Sequence, residues 1–192
     1  MHMIGESYIR QEFVELKKIR DKILVEGVVK VWILGCKKGG WEQIDTLPFT
    51  LLIPTKISLI EHTRKVTQMA ISIAKVRGNL DMDILIAGAL THDVGKLLEY
   101  TRVIESDNQN IKESGEQGLD LTRGKVVKSE FGKRVRHPVS GYELAISAGL
   151  PQEVAHIIIT HSHEGDKIER SPEAIVVHHC DFIEFEIAKK KT

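Results

Sequence analysis

DILIAGALTHDVGKLL, residues 83–98, is the stretch on which the reading of this chain turns. It is apolar nearly all round until a His-Asp pair interrupts it, the pattern of a central helix rather than a surface one. Asp83 stands where it can cap the helix start. His92 and Asp93 then fall at the end of the most apolar helix of the chain, with Gly95 and Lys96 just beyond. Ionisable groups in such a place are costly to bury unless something compensates them.

Upstream, Ser58 followed three residues later by Glu61 fits a capping box. The helix it opens carries His62, Val66, Met69, Ala70 and Ile73 on one face, so His62 belongs to the buried stripe. Residues 6–26 place Ile9, Phe13, Leu16, Ile19 and Ile23 at three- and four-residue steps, an amphipathic helix. Residues 28–34 suit a strand or a buried helix equally, residues 37–40 a turn, and residues 49–53, closed by Pro54, a short apolar piece. Downstream, residues 104–133 are rich in glycine and charge and predict a long loop. A helix over 138–148 starts with Pro138 in its first turn, and Gly149 to Pro151 break it. Residues 152–162 align Val154, Ile157, Ile158 and His161. Ser171-Pro172 opens a last helix with Ala174, Val177, Asp181 and Phe185 on a common face. The expected fold is all-α: a helical bundle over residues 56–192 and a small N-terminal appendage, residues 1–55, with a helix and candidate short strands.

The 192 residues contain 27 Lys+Arg and 27 Asp+Glu, so the formal net charge is zero. That balance excludes a strongly basic nucleic-acid coat and an acidic disordered tail. The ten aromatic residues further disfavour a nuclease acting on single strands, which needs basic grooves and stacking rings. No apolar run is long enough for a membrane span. Two cysteines, Cys36 and Cys180, make no disulfide framework, and the start shows no secretory pattern, so a cytoplasmic location is expected.

Six residues stand out: His62, His92, Asp93, His137, His161 and Asp181. Any one of them alone is better read as a satisfied core residue. Together they are different, because four fall on inward stripes of separate helices. A divalent cation compensates such a set, since neutral imidazoles and carboxylates are its natural ligands and bundles build metal sites from facing helices.

On these residues the sequence resembles the HD-domain superfamily of metal-dependent phosphohydrolases, from about Lys56 to Ala188. The match consists of His62, the His92-Asp93 pair within Thr-His-Asp-Val-Gly-Lys, and Asp181. His137, within His-Pro-Val-Ser-Gly-Tyr-Glu-Leu-Ala, and His161 match the extra histidines of the subgroup with two metals. Relatives of that kind often have two adjacent histidines before the last helix. Here Ser162 separates His161 from His163, so periodicity favours His161 while His163 stays a candidate metal ligand or substrate contact.

The resemblance implies hydrolysis of a phosphoester or phosphodiester bond of a nucleotide-like small molecule. Two metals about 3.5–4 Å apart can activate a water and clamp phosphoryl oxygens. Asp93 suits a bridging role, with His62, His92 and Asp181 on one ion and His137 and His161 on the other. Lys96, one turn beyond His92, would meet charge developing on the phosphoryl group, so Asp93 and Lys96 are the candidate catalytic residues. Four histidines with two carboxylates favour Mn, Fe, Co, Ni or Zn over Mg. The basic run Arg123–Arg136 is a solvated face or a lid that attracts anions. The remaining histidines, His156, His178 and His179, read as packing or surface residues, with support of Asp181, three residues on, the second reading of His178. The competing reading is a non-catalytic module that binds metal or nucleotide for sensing. Oligomeric state and natural substrate stay open.

Overall fold

The computed structural model describes residues 4–103 and 125–190. Among these residues are eight α-helices and one two-stranded sheet: α1 (Glu6–Glu12), α2 (Lys22–Gly39), α3 (Leu59–Arg77), α4 (Met82–Thr91), α5 (Lys96–Glu99), β1 (Tyr100–Arg102), β2 (Val126–Lys128), α6 (His137–Ala148), α7 (Gln152–Thr160) and α8 (Pro172–Lys190). The strands pair antiparallel, Tyr100 opposite Lys128 and Arg102 opposite Val126. The architecture is all-α. Among the described residues no helix is long and apolar enough to cross a membrane.

The single helix expected over 6–26 is broken. α1 ends at Glu12, a short 3-10 turn follows, and α2 begins at Lys22. The break has a local cause: Asp21 accepts hydrogen bonds from the Ile23 and Leu24 N–H groups and starts a new helix. It also has a distant one, because the Asp83 carboxylate accepts from the Arg20 and Asp21 N–H groups. Asp83 is therefore a clamp across the chain rather than the cap of its own helix; Asp81 caps α4, accepting from Asp83 and Ile84 N–H. Ile23 falls off the buried stripe and is 81% exposed. Residues 28–34 are buried helix, and α2 runs through Lys37 and Lys38 to end on Gly40, whose φ of 71° supplies the left-handed cap. Ser58 caps α3 by accepting from Glu61 N–H, whereas Ile73 turns outward.

The first 55 residues contribute to the central core. Phe13, Val28, Trp32 and Phe49 are buried in one cluster with Leu90, Leu97 and Leu144. The Trp32 indole N–H donates to Leu90 O at 2.9 Å and that of Trp41 to Leu97 O at 2.7 Å. Leu90 lies in the last turn of α4, whose carbonyls have no helical partner, so α2 satisfies what α4 leaves open. A second apolar cluster, with Val66, Leu85, Ile157 and Val177, lies among α3, α4, α7 and α8. These same four helices bring in His62, His92, His161 and Asp181.

The expected helix 83–98 is also interrupted. α4 stops at Thr91, a turn held by Val94 N–H to Thr91 O and Lys96 N–H to Asp93 O follows, and α5 resumes at Lys96. The turn lets α5 approach α6 closely. A Cβ at Gly95 would collide with the His137 carbonyl and come within 2.6 Å of the Gly141 nitrogen. Of the loop expected over 104–133, residues 104–124 lie outside the described residues, and 126–128 are strand rather than loop.

Candidate metal centre

All six singled-out residues converge. Ligand atoms of His62, His92 and Asp181 lie within 4.8 Å of one another, and so do those of Asp93, His137 and His161. His62 projects from the first turn of α3 and Asp181 from the middle of α8. His92 and His161 sit just past the ends of α4 and α7, and His137 opens α6. His62, His92 and His161 are fully buried, and Asp93 nearly so.

Asp93 stands between the two trios. Its Oδ2 is 3.5 Å from both His62 Nε2 and His92 Nε2. Its Oδ1 is 3.3 Å from His137 Nε2 and 3.5 Å from His161 Nε2. One carboxylate thus presents one oxygen to each group.

Fixed tautomers make this geometry informative. His92 Nδ1 lies 2.7 Å from Ala89 O and His161 Nδ1 2.6 Å from Ile158 O. A carbonyl oxygen only accepts, so in the neutral rings Nδ1 carries the proton and Nε2 keeps its lone pair. Yet His137 Nε2, whose ring keeps its proton on Nδ1 beside the Glu99 carboxylate, faces His161 Nε2 at 3.3 Å. Lone pairs aimed together are unfavourable unless a cation sits among them. Asp93 Oδ1 and His62 Nδ1 also find no hydrogen-bond partner among the described residues. A buried carboxylate, Asp93, and a half-buried one, Asp181, are set against one buried lysine. The donor chemistry therefore fits a divalent cation.

Electrostatics agree. Burial would raise the Asp93 carboxyl, but the Lys96 ammonium beside it outweighs this and holds it well below the usual range. Burial opposes ionisation of Asp181 likewise, and its hydrogen bond with His62, 3.0 Å away, holds it down. Burial pushes the His137 imidazole down to about 4, despite Glu99 beside it. These residues present themselves as ligands must, carboxylates charged and that imidazole neutral.

Lys96 is buried, pairs with Asp93 Oδ2 at 2.5 Å and donates to Phe49 O at 2.6 Å. Gly95 serves the close packing of α5 on α6. His163 is in neither trio; its side chain is 76% exposed, 3.1 Å from Asp166, with its ring edge-on to Phe182. Of the two histidines that spacing left open, His161 joins the cluster. His178 Nδ1 lies 2.6 Å from His161 O. His156 accepts from Ser171 N–H.

A cleft opens onto the cluster, with Lys96, His137 and Asp181 in its lining. Phe49, Phe182 and Phe185 supply apolar wall, and Lys128 and Arg136 supply positive charge. Within the basic run read as a candidate lid, these two cations reach the cleft, while Lys133 pairs with its neighbour Glu130. The residue that sequence reasoning missed is Glu99, 1% exposed at the end of α5 and bonded to His137. No spacing rule links the two, 38 residues apart.

No curated protein and no solved structure matches the chain significantly. A family model does match, that of the HD domain, over residues 59–185, which takes in every member of the cluster. That span is well over half of the chain, and both trios fall within it. The chain belongs to the HD domain family.

Proposed function

We propose that this protein is a two-metal phosphohydrolase cleaving a phosphoester or phosphodiester bond of a nucleotide-like substrate. The observation that carries the reading is the position of Asp93, one oxygen toward His62 and His92 and the other toward His137 and His161. His62, His92 and Asp181 would hold one cation and His137 and His161 the other, with Asp93 shared. A pair of divalent cations supplies an acidified water and neutralises phosphoryl oxygens. The imidazole-rich donor set favours Mn, Fe, Co, Ni or Zn.

The chain's own residues do the rest. The carbonyls of Ala89 and Ile158 aim His92 and His161 inward by holding their Nδ1 protons. Lys96 keeps Asp93 ionised and presents a positive charge at the cleft floor, where charge grows on the phosphoryl oxygens. Lys128 and Arg136 draw an anionic substrate to the mouth. Phe182 and Phe185 offer faces on which a planar base can pack. This wall is why a nucleotide-like ester is favoured over a bare phosphate.

The test is hydrolysis of bis-p-nitrophenyl phosphate by Mn-loaded protein, with metal content measured alongside. About two metal equivalents and turnover that Asp93→Ala abolishes are expected. Undiminished turnover in the variant would remove Asp93 from the mechanism. Metal uptake without hydrolysis of this ester or of a nucleotide panel would favour a binding module.

A further inference from the structure

Glu99 is a buried carboxylate that takes no place among the six proposed ligands. Its Oε2 accepts from the His137 backbone N–H at 2.8 Å and lies 2.8 Å from His137 Nδ1. Its Oε1 accepts from Arg136 Nη1 at 2.9 Å and is 3.3 Å from Lys128 Nζ. A carboxylate only accepts, so His137 Nδ1 carries the proton. The His137 Nε2 lone pair then points at Asp93 Oδ1 and His161 Nε2, each 3.3 Å away.

Two other imidazoles of the centre, one in each trio, are oriented differently. His92 is held by the neutral carbonyl of Ala89, and so is His161 by that of Ile158, whereas His137 is held by a full negative charge. A carboxylate behind an imidazole makes the opposite nitrogen a stronger donor. Arg136 and Lys128 balance that charge and also line the cleft.

We infer that Glu99 is a positioning residue for one half of the centre: it fixes the tautomer and aim of His137 Nε2 and strengthens cation binding by the Asp93, His137 and His161 group alone. The inference rests on the two-cation reading. The backbone carbonyl of Glu99 accepts from Ser129 N–H at 2.9 Å, a structural contact that a side-chain change leaves in place.

Glu99→Gln, nearly isosteric, tests this in the full chain. Co²⁺ is titrated into metal-free protein, followed by its visible d–d absorption and by competition with a chelator. In the unaltered protein two equivalents bind. In Glu99→Gln the first should bind as before and the second roughly 10- to 100-fold more weakly. Equal binding of both equivalents in the two proteins overturns the inference and leaves the two-cation reading standing. Equal weakening of both, with a lowered melting temperature, also overturns it, because that is the mark of a scaffold. A single equivalent in the unaltered protein sinks the two-cation reading and this inference with it. A second measurement needs no variant: ¹⁵N-histidine spectra of the metal-free protein should show His137 protonated on Nδ1, and protonation on Nε2 would refute the assignment.

Discussion

Burial holds the His137 imidazole at about 4, against 6.5 for the free ring, although the Glu99 carboxylate pulls the other way. A histidine with a depressed folded pKa stays neutral in the native state while the unfolded chain takes up a proton. Its contribution to stability is therefore complete above pH 6.5 and is lost as pH falls toward 4. The full shift is worth on the order of 3 kcal/mol. Urea unfolding of the chelator-treated protein should show stability falling through this window, with a shallower fall in His137→Gln. Glu99 works in a lower window. Burial would raise it, but hydrogen bonds from His137 hold it at about 2, so its stabilisation is lost as pH falls below 4.5. Lys96 makes a separable prediction. Its ammonium meets Asp93 and lines the cleft but belongs to neither trio. Lys96→Ala should lower kcat/KM about 100-fold while metal stoichiometry stays near that of the parent. Loss of metal instead would make Lys96 a structural counter-ion of Asp93.

At the scale of elements, the junction between α4 and α6 decides whether the two trios face each other. The turn after Thr91 ends α4 and delivers α5 against the start of α6, where Gly95 lies on the His137 backbone. The obstructing atoms are main chain, so no side chain can swing away. Gly95→Ala should destabilise the protein by about 1–3 kcal/mol or more. It should also weaken metal binding, because His137 moves with the backbone it displaces. Denaturant midpoints and metal titration on the same preparation check both effects. The Trp32 indole is a second device of this kind. Its N–H satisfies Leu90 O, and Trp32→Phe leaves that buried carbonyl without its donor. A loss of about 1–3 kcal/mol is expected in thermal or chemical unfolding.

Across the whole molecule, one core joins residues from Ile9 to Ala188. Stripping away the first 55 residues would uncover Leu90, Leu97 and Leu144 and leave the Leu90 and Leu97 carbonyls without their indole partners. A chain beginning at residue 56 should therefore show no cooperative thermal transition by circular dichroism. A sharp transition there would establish 56–192 as an independent domain. Metal should act on the same cooperative unit. Cations that bind only the native state raise its stability by about 2.7 kcal/mol at 100-fold excess over Kd, so Mn²⁺ should raise the single melting temperature and a chelator should lower it.

The helices and most of the centre are legible from the amino-acid order because their signals are local. Periodicity puts His62, His161 and Asp181 on inward faces within a few turns of chain, and the apolar run before His92 marks a core position. The cost of burying such groups then calls for a cation whatever the fold's details. Three matters were settled only by packing. Residues 6–26 are periodic enough for one helix, yet Asp83, 62 residues beyond Asp21, helps hold the break open. Residues 28–34 suit strand or helix until Trp32 finds Leu90 O, 58 residues away. Glu99 looks like any acid at a helix end until it meets His137, 38 residues on. Periodicity records which face of a segment is buried, but a partner brought in from another element leaves no trace in either segment alone.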